Sequence, residues 1–201
     1  MTRDETSAVV LAGGRSRRFG RDKLAEPLGD RTLLERAIDA VRPVAVEIVV
    51  VTAPDDGRLV PGDVIVVGDA AAFGGPLVGL AAGLGRVSWP VVLVVGGDMP
   101  AMVPSLLQAM VERLADPAVE AVALEWDGRG RPLPIALRTA PAAAAAERLL
   151  ARGERRLRAI LESLSTAIID EPTWRALDPD GATLRDVDTP ADLHDWDPAL
   201  R

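Results

Sequence analysis

The sequence predicts an α/β fold of three layers, in which helices cover both faces of a mainly parallel sheet. Short runs of Val, Leu, Ile and Ala alternate along the chain with longer segments whose apolar residues recur at helical spacing. Strands that alternate with helices in this way are typical of parallel sheets. Hydrophobic residues make up 48% of the chain but aromatic residues only 3%. We therefore expect an aliphatic core.

The elements follow from these runs in order. The predicted strands cover 8–11, 47–51, 64–67, 91–95, 121–124, 133–137 and 167–170. The predicted helices cover 32–41, 77–84, 105–114, 141–151 and 155–164. The first helix has the clearest start, because Thr32 followed by Glu35 forms a capping box, and Pro43 follows its end. A turn-like segment at 126–130 joins two strands, and we expect one antiparallel strand in the sheet.

Composition limits the possible functions. A length of 201 residues suits one domain, which we place at 1–201. The absence of cysteine excludes disulfides, thiolate nucleophiles and cysteine-ligated metals, and a single histidine, His194, argues against a Ser-His-Asp hydrolase. A net charge of −7 argues against nonspecific nucleic-acid binding. The start is polar, and no apolar run approaches the roughly 20 residues of a membrane span. We therefore expect a cytoplasmic protein without nucleic-acid or membrane partners.

Positive charge is distributed unusually. All but one of the 23 basic residues are arginine, and the single lysine, Lys23, closes a basic segment after the first predicted strand. A lysine ammonium is a compact point charge, whereas arginine offers a planar fork. The segment 13–23 holds five basic residues and one acid, Asp22. These five are Arg15, Arg17, Arg18, Arg21 and Lys23. On an acidic protein this is a local patch that attracts anions.

Several chemically informative features follow predicted strands, and ligands of open α/β sheets bind at the carboxyl ends of the strands. The loop 12–14, with two glycines, allows backbone amides to approach a phosphate. It is neither a P-loop nor a dinucleotide-binding fingerprint. Asp98 follows the strand at 91–95, where a carboxylate suits Mg²⁺ or caps the next turn. A weaker signal follows the third strand, where Asp69 supplies an acid and the glycines at 74–75 form a hinge.

Two further carboxylates lie near the end of the chain. Asp186 and Asp188 are two residues apart, so on an extended segment they point the same way. They could complete a metal site together with Asp98. Alternatively, Asp188 and Thr189 could begin a helix that Pro190 opens.

Taken together, these segments resemble the MobA-like nucleotidyltransferases. The stretch 11–23, Leu-Ala-Gly-Gly-Arg-Ser-Arg-Arg-Phe-Gly-Arg-Asp-Lys, is similar to the family's L-A-G-G signature, which continues with R-M-G and then D-K. Residues 75–80 resemble its G-P-L-A-G segment, and 97–100 its metal-binding aspartate motif. Residues 186–193 resemble its terminal N-x-N-T-P-x-D-L motif. The matches occur in the family's order over residues 8–193.

The resemblance implies a Rossmann-like three-layer nucleotidyltransferase fold and a Mg²⁺-dependent activity. Within the family the sequence is most similar to the branch that joins GMP from GTP to molybdopterin and releases pyrophosphate. It implies GTP and molybdopterin as substrates and transient contact with other molybdenum-cofactor proteins. The implied nucleotide-binding residues are Leu11, Ala12, Gly13, Gly14, Arg15, Lys23, Asp69, Gly75, Pro76 and Asp98. The implied metal ligands are Asp98 and Asp188, and the expected catalytic residues are Lys23, Arg18 and Asp98.

The sequence departs from the family pattern in three places. Phe19 replaces the usual methionine, which is a conservative change of a packing residue. The exit of the second strand, 51–54, lacks the asparagine that is common there. Asp186 and Asp188 stand where asparagines are common.

The reaction class also suits the available residues. Nucleotidyl transfer requires in-line positioning and neutralisation of charge on the α-phosphate and the leaving pyrophosphate. An acceptor phosphate is already ionised, so no histidine base is needed. We expect Asp98 to hold Mg²⁺ against the triphosphate while Lys23 and one or more of Arg15, Arg17 and Arg18 offset the leaving-group charge.

Two alternatives remain open from the sequence. The chain could transfer another nucleotide, such as CMP or AMP, for example as a molybdopterin cytidylyltransferase that uses CTP. It could also use another acceptor, such as a sugar phosphate or phospholactate. Ala12-Gly13, where cytidylyl relatives tend to have two alanines, favours guanine. The chain could instead be a non-catalytic nucleotide-binding or assembly partner. The presence of both Lys23 and Asp98 argues against that role.

Overall fold

The computed structural model describes residues 5–13, 19–54, 57, 60–68 and 74–194. Within these residues the strands of the main sheet are β1 (Thr6–Leu11), β4 (Glu47–Thr52), β5 (Ile65–Gly68), β6 (Val91–Gly96), β7 (Ala121–Trp126), β8 (Arg129–Arg138) and β9 (Thr166–Ile169). These seven strands lie in the order β5-β4-β1-β6-β8-β7-β9. All are parallel except β8, which runs antiparallel to both β6 and β7. A separate two-stranded antiparallel sheet pairs β2 (Pro27–Leu28) with β3 (Arg31–Thr32).

The helices lie on both faces of the sheet. They are α1 (Leu33–Val41), α2 (Pro76–Leu84), α3 (Pro104–Arg113), α4 (Thr139–Ala151), α5 (Arg158–Ser163), α6 (Glu171–Arg175) and α7 (Pro190–His194). One core cluster joins the sheet to α1, α3 and Trp174 of α6, and a second joins it to α2, α4 and α5. The predicted three-layer fold with a single antiparallel strand in the main sheet is confirmed. No helix in the described ranges has the length and apolarity needed to cross a membrane.

The strands contribute side chains to both clusters, because successive residues of an extended chain point to opposite faces of the sheet. In β6, Leu93 and Val95 belong to the first cluster, whereas Val92 and Val94 belong to the second. A strand that is buried on both faces has a continuous apolar sequence, which is the pattern from which β6 was predicted. The core is mostly aliphatic, with Trp174 the bulkiest fully buried side chain among the described residues.

The ends of several elements differ from the predictions. The turn between β7 and β8 is tighter than expected, because β8 already begins at Arg129, where the predicted strand began only at 133. The first residues of β8 are polar, so the apolar runs of the sequence did not indicate this extension. Helix α5 begins at Arg158, later than predicted, because residues 155–157 form a loop whose Arg155 carbonyl accepts from the Leu77 amide of α2. The capping box of Thr32 and Glu35 is present as predicted.

Candidate active site

The parallel strands place their carboxyl ends side by side. In the register of the sheet, Leu11 at the end of β1 pairs with Val51 of β4 on one side and Gly96 of β6 on the other. The Gly97 amide donates to the Leu11 carbonyl oxygen at 3.0 Å, and the Ala12 amide donates to the Val51 carbonyl oxygen at 2.8 Å. The glycine loop therefore leaves the sheet directly beside the loop that carries Asp98.

Lys23 lies at the centre of a polar cluster on this edge. Its Nζ donates to Asp98 Oδ2 at 2.7 Å, to the Val187 carbonyl oxygen at 2.9 Å and to Asp188 Oδ1 at 3.1 Å. The Lys23 side chain is only 14% exposed, whereas Asp98 is 27% and Asp188 41% exposed. We call Lys23, Asp98 and Asp188 the carboxylate–lysine cluster. It brings together residues that lie 75 and 165 positions apart in the sequence.

A short capped turn carries Lys23 to this position. Residues Lys23–Ala25 form a 3-10 turn, and the Asp22 carboxylate accepts from the Leu24 amide at 3.1 Å. Leu24 is buried against Gly97, where an added Cβ would lie 3.2 Å from the Leu24 side chain. A glycine at 97 thus allows close approach of the turn to the Asp98 loop. In the Asp-Lys pair of the sequence motif, Asp22 therefore caps the turn and so positions the charge of Lys23.

Gly96 makes room for the Asp98 carboxylate. A Cβ added at Gly96 would lie 2.5 Å from Asp98 Oδ1 and 3.3 Å from the Met99 side chain. The first of these distances is too short for any real side-chain contact. The Met99 amide also donates to the Gly96 carbonyl oxygen, which closes a turn after the strand. The glycine therefore allows the carboxylate to fold back over the strand end.

The segment that bears Asp188 is fixed from both sides. The Val187 amide donates to the Asp98 carbonyl oxygen at 2.9 Å. The Val187 side chain is fully buried in a small cluster with Phe19, Leu28 and Leu33. Next along the chain, the Asp192 carboxylate accepts from the amides of Asp188 and Thr189 at 2.8 and 2.7 Å, and these bonds lower the pKa of Asp192. The burial of Phe19 agrees with its prediction as a packing residue.

The charges of the cluster favour a cation. Burial lowers the pKa of Lys23, but the two neighbouring carboxylates outweigh this effect and raise it above its ordinary value. Lys23 is therefore an ammonium at neutral pH, and the cluster carries one more negative than positive charge. Two carboxylates open to solvent on one sheet edge suit Mg²⁺, which takes oxygen ligands and usually only one or two protein carboxylates. The residues present thus fit a divalent cation. No group of three or more potential ligand side chains occurs in the described part of the chain.

Gly75 and Pro76 lie at the start of α2. Gly75 has a φ of 99°, in the region that glycine adopts without strain, and Pro76 occupies the first turn of the helix. An added Cβ at Gly75 would lie 3.0 Å from the Arg155 backbone oxygen. Further along α2, an added Cβ at Gly79 would lie 3.5 Å from the Leu11 side chain. The helix therefore begins near the edge that the glycine loop leaves.

The structure describes only part of the predicted site. Leu11, Ala12, Gly13, Lys23, Gly75, Pro76, Asp98 and Asp188 lie within the described residues. Gly14, Arg15, Arg17, Arg18 and Asp69 lie outside them. Of the two terminal carboxylates, Asp188 reaches Lys23. Asp186 is exposed, and its neighbour Val187 points into the core.

Sequence reasoning missed two contributors to the site. The Val187 carbonyl is a backbone acceptor and has no signature in the sequence. Asp192 does have one, because Thr189-Pro-Ala-Asp192 follows the S/T-x-x-D/E pattern of a capping box. That pattern could have identified Asp192 as the residue that fixes the backbone of Asp188.

Comparison with known proteins identifies the family. The MobA-like NTP transferase domain matches residues 8–168 of the chain. The chain belongs to the MobA-like NTP transferases. It is therefore a nucleotidyltransferase, as the sequence motifs predicted.

Individual relatives match along nearly the whole length of this MobA-like transferase. It is 34% identical to the probable molybdenum cofactor guanylyltransferase of Chloroflexus aggregans over 93% of this chain and 91% of that protein. It is 35% identical to the protein of the same name from Mycobacterium marinum over 93% and 90%. It is 28% identical to the molybdenum cofactor guanylyltransferase of Desulfosudis oleivorans over 98% and 97%.

Solved structures share the fold. Molybdopterin-guanine dinucleotide biosynthesis protein A from Archaeoglobus fulgidus aligns with a TM-score of 0.78 at 23% identity, covering 94% of this chain and 95% of that one. The 2-C-methyl-D-erythritol 4-phosphate cytidylyltransferase of Thermus thermophilus aligns with a TM-score of 0.67 at 20% identity, covering 92% and 94%. The fold is therefore common to transferases of different nucleotides.

Proposed function

We propose that this protein is a single-domain, Mg²⁺-dependent guanylyltransferase that transfers GMP from GTP to molybdopterin and releases pyrophosphate. The observation that carries the proposal is the convergence of Lys23, Asp98 and Asp188 at the carboxyl edge of the sheet, beside the glycine loop. The choice of guanine and molybdopterin rests on sequence relatives that match more than 90% of the chain. These relatives are named probable molybdenum cofactor guanylyltransferases. The fold alone does not distinguish guanylyl from cytidylyl transfer.

The reaction needs no protein base. A phosphate oxygen of the acceptor, already ionised at neutral pH, attacks the α-phosphorus of GTP in line with the bond to the β-phosphate bridge. The new bond joins that oxygen to the α-phosphorus, the bridge bond breaks, and pyrophosphate leaves with the electron pair. The demands on the protein are orientation and neutralisation of negative charge.

The carboxylate–lysine cluster supplies the residues for these demands. Asp98 and Asp188 would hold Mg²⁺, which when bound neutralises charge on the phosphate oxygens. An ammonium has three donors, and Lys23 already makes three hydrogen bonds to Asp98, Val187 and Asp188. Contact between Lys23 and a phosphate oxygen would therefore replace at least one of these bonds. Lys23 thus keeps the two carboxylates close together, and it would be able to contact the leaving group if a metal replaced it on one of them.

The remaining nucleotide contacts complete the proposal. Leu11, Ala12 and Gly13 would present backbone groups to the guanine and ribose, and Gly75 and Pro76 would line the same edge. We assign Gly14, Arg15 and Asp69 to the nucleotide as well, and Arg18 to the leaving-group charge, from their positions in the sequence motifs.

The direct test is an assay with purified protein, GTP, Mg²⁺ and molybdopterin that measures both the dinucleotide and pyrophosphate. We expect both products in equal amounts and neither after chelation of the metal. Asp98→Asn should reduce turnover by about 10² to 10³, by analogy with the loss of one charge-stabilising group. Product formation with CTP but not GTP would overturn the guanine assignment, and undiminished activity of Asp98→Asn would overturn the metal site.

A further inference from the structure

A buried polar link connects the two chain segments that carry Asp98 and Asp188. Thr183 is fully buried, and its Oγ1 accepts from the Val103 amide at 2.9 Å. Asp178 is only 2% exposed, and its carboxylate accepts from the amides of Ala182 and Thr183 at 2.9 and 2.8 Å. These residues touch neither the carboxylate–lysine cluster nor the glycine loop through any hydrogen bond of the described structure. The proposed reaction gives them no chemical role.

Their position relates them to the site. Val103 is the N-cap residue of α3, at the far end of the loop that begins with Asp98. Thr183 lies in the 3-10 turn Ala182–Leu184, just before the segment that reaches Asp188. The two segments are therefore joined twice: Thr183 accepts from Val103 at one end, and Val187 donates to the Asp98 carbonyl oxygen at the other. Asp178 fixes the turn from which the second segment starts.

Hydrogen bonds of this kind specify direction as well as contact. Apolar packing of Leu184 and Val187 buries the segment but tolerates small sliding motions, whereas an amide–hydroxyl bond requires a defined distance and angle. A shift of the segment would move Asp188 and the Val187 carbonyl away from Lys23. Catalytic groups generally need such support, because small displacements weaken the reaction strongly.

We propose that Asp178 and Thr183 are positioning residues that hold the Asp98 loop and the Asp188 segment together. They set the distance between the two carboxylates that Lys23 bridges. The link itself is a property of the folded chain, and only its effect on turnover rests on the proposed function.

The main test variant is Thr183→Val, which has nearly the same shape but no acceptor. Thr183→Ser restores the hydroxyl. Thr166→Val is the matched control, since it removes a hydroxyl that donates to the Leu161 carbonyl oxygen at 2.8 Å on edge strand β9. Asp178→Asn tests the link independently of Thr183, because one amide of the turn would then face an NH₂ group.

The first measurement needs neither metal nor nucleotide. Lys23 is the only lysine, so protein labelled with ¹³C at lysine Cε gives a single NMR signal from the centre of the cluster. At neutral pH we expect Thr183→Val and Asp178→Asn to move this signal in the direction that Asp98→Asn moves it. Thr183→Ser and Thr166→Val should leave it in place.

The second measurement is the transferase assay at a temperature where all variants are folded. Thr183→Val and Asp178→Asn should raise the Mg²⁺ concentration for half-maximal activity roughly tenfold, the equivalent of one hydrogen bond, with Thr183→Ser near the parent protein. An unchanged lysine signal and an unchanged Mg²⁺ requirement in both variants would overturn the proposal, and so would equal effects of Thr166→Val. If the parent protein fails to transfer GMP, the proposed function is wrong, and the lysine signal still decides whether the link positions the cluster.

Discussion

At the scale of single residues, the choice of lysine at position 23 has a structural reason. One ammonium nitrogen donates to two carboxylates and a backbone carbonyl that approach it from separate segments of the chain. A guanidinium spreads its donors over a plane and is larger, so it cannot place one charge at the centre of these three acceptors. All other basic residues of the chain except His194 are arginine, and this site alone has the point charge of a lysine.

We therefore expect Lys23→Arg to lower kcat by about 10² while the protein remains folded. The measurement is steady-state pyrophosphate release with saturating GTP. Arg113→Lys, the reverse exchange at an exposed position of α3, should have no effect and controls for the exchange itself. Wild-type kinetics for Lys23→Arg would show that the site does not require an ammonium.

The pKa of Lys23 gives a second prediction at this scale. Burial lowers it, but Asp98 and Asp188 raise it above the ordinary value of 10.5. A raised pKa means that the cluster contributes its full stability below about pH 10.5 and loses it as the pH rises through the folded-state value. A titration of the single lysine ¹³C signal should show this raised pKa, and Asp98→Asn should lower it. A pKa that is the same in both proteins would contradict the paired geometry.

At the scale of elements, the end of strand β6 decides where the Asp98 carboxylate lies. Gly96→Ala would put a Cβ 2.5 Å from Asp98 Oδ1, so the carboxylate that Lys23 contacts must shift from its present position. We expect a loss of activity of at least about tenfold, measured as kcat/KM for GTP. Gly85→Ala is the control, because Gly85 has a φ of −70° and its added Cβ would make ordinary contacts of 3.5 Å. Equal activities of the two variants would mean that the carboxylate moves without cost.

The elements that the sequence predicted well are those with a strong local pattern. All seven strands of the main sheet correspond to apolar runs. The inner parallel strands β1, β4 and β6 are buried on both faces and must therefore be apolar throughout. The predictions missed β2, β3 and α6, which have two to five residues each and are too short to show a period. They also cut short the polar start of β8, which pairs with β7 as a hairpin beyond the apolar part of the sheet.

The site shows the same division between local and distant information. The sequence placed Lys23 and Asp98 on one edge, because both follow strands of a parallel sheet, and the structure brings them to 2.7 Å. It left open whether Asp188 binds a metal or caps a helix. In the structure Asp188 reaches Lys23, while Asp192 accepts from the backbone amides at the start of α7. Thr183 has no such signature, because its partner is a backbone amide 80 residues away.

At the scale of the whole molecule, binding of a nucleotide should raise the free energy of unfolding. A ligand that binds only the folded state at 100 times its dissociation constant adds about 2.7 kcal/mol to the free energy of unfolding. For a domain of about 200 residues this raises Tm by roughly 5–10 °C. Because the carboxylate–lysine cluster carries an excess negative charge, we expect little stabilisation by a triphosphate alone and the full effect only with Mg²⁺.

The panel that tests this prediction compares GTP, CTP, ATP and UTP, each with and without Mg²⁺, by thermal unfolding. We expect GTP with Mg²⁺ to give the largest rise in Tm and Asp98→Asn to lose its metal-dependent part. Thr166→Val, altered only at β9, should keep the full response. Stabilisation by CTP and not by GTP would reassign the base while leaving the cluster and its metal in place. Equal stabilisation by GTP with and without Mg²⁺ would contradict a role for the metal in nucleotide binding. The triphosphate would then bind beside the negatively charged cluster without any cation between them.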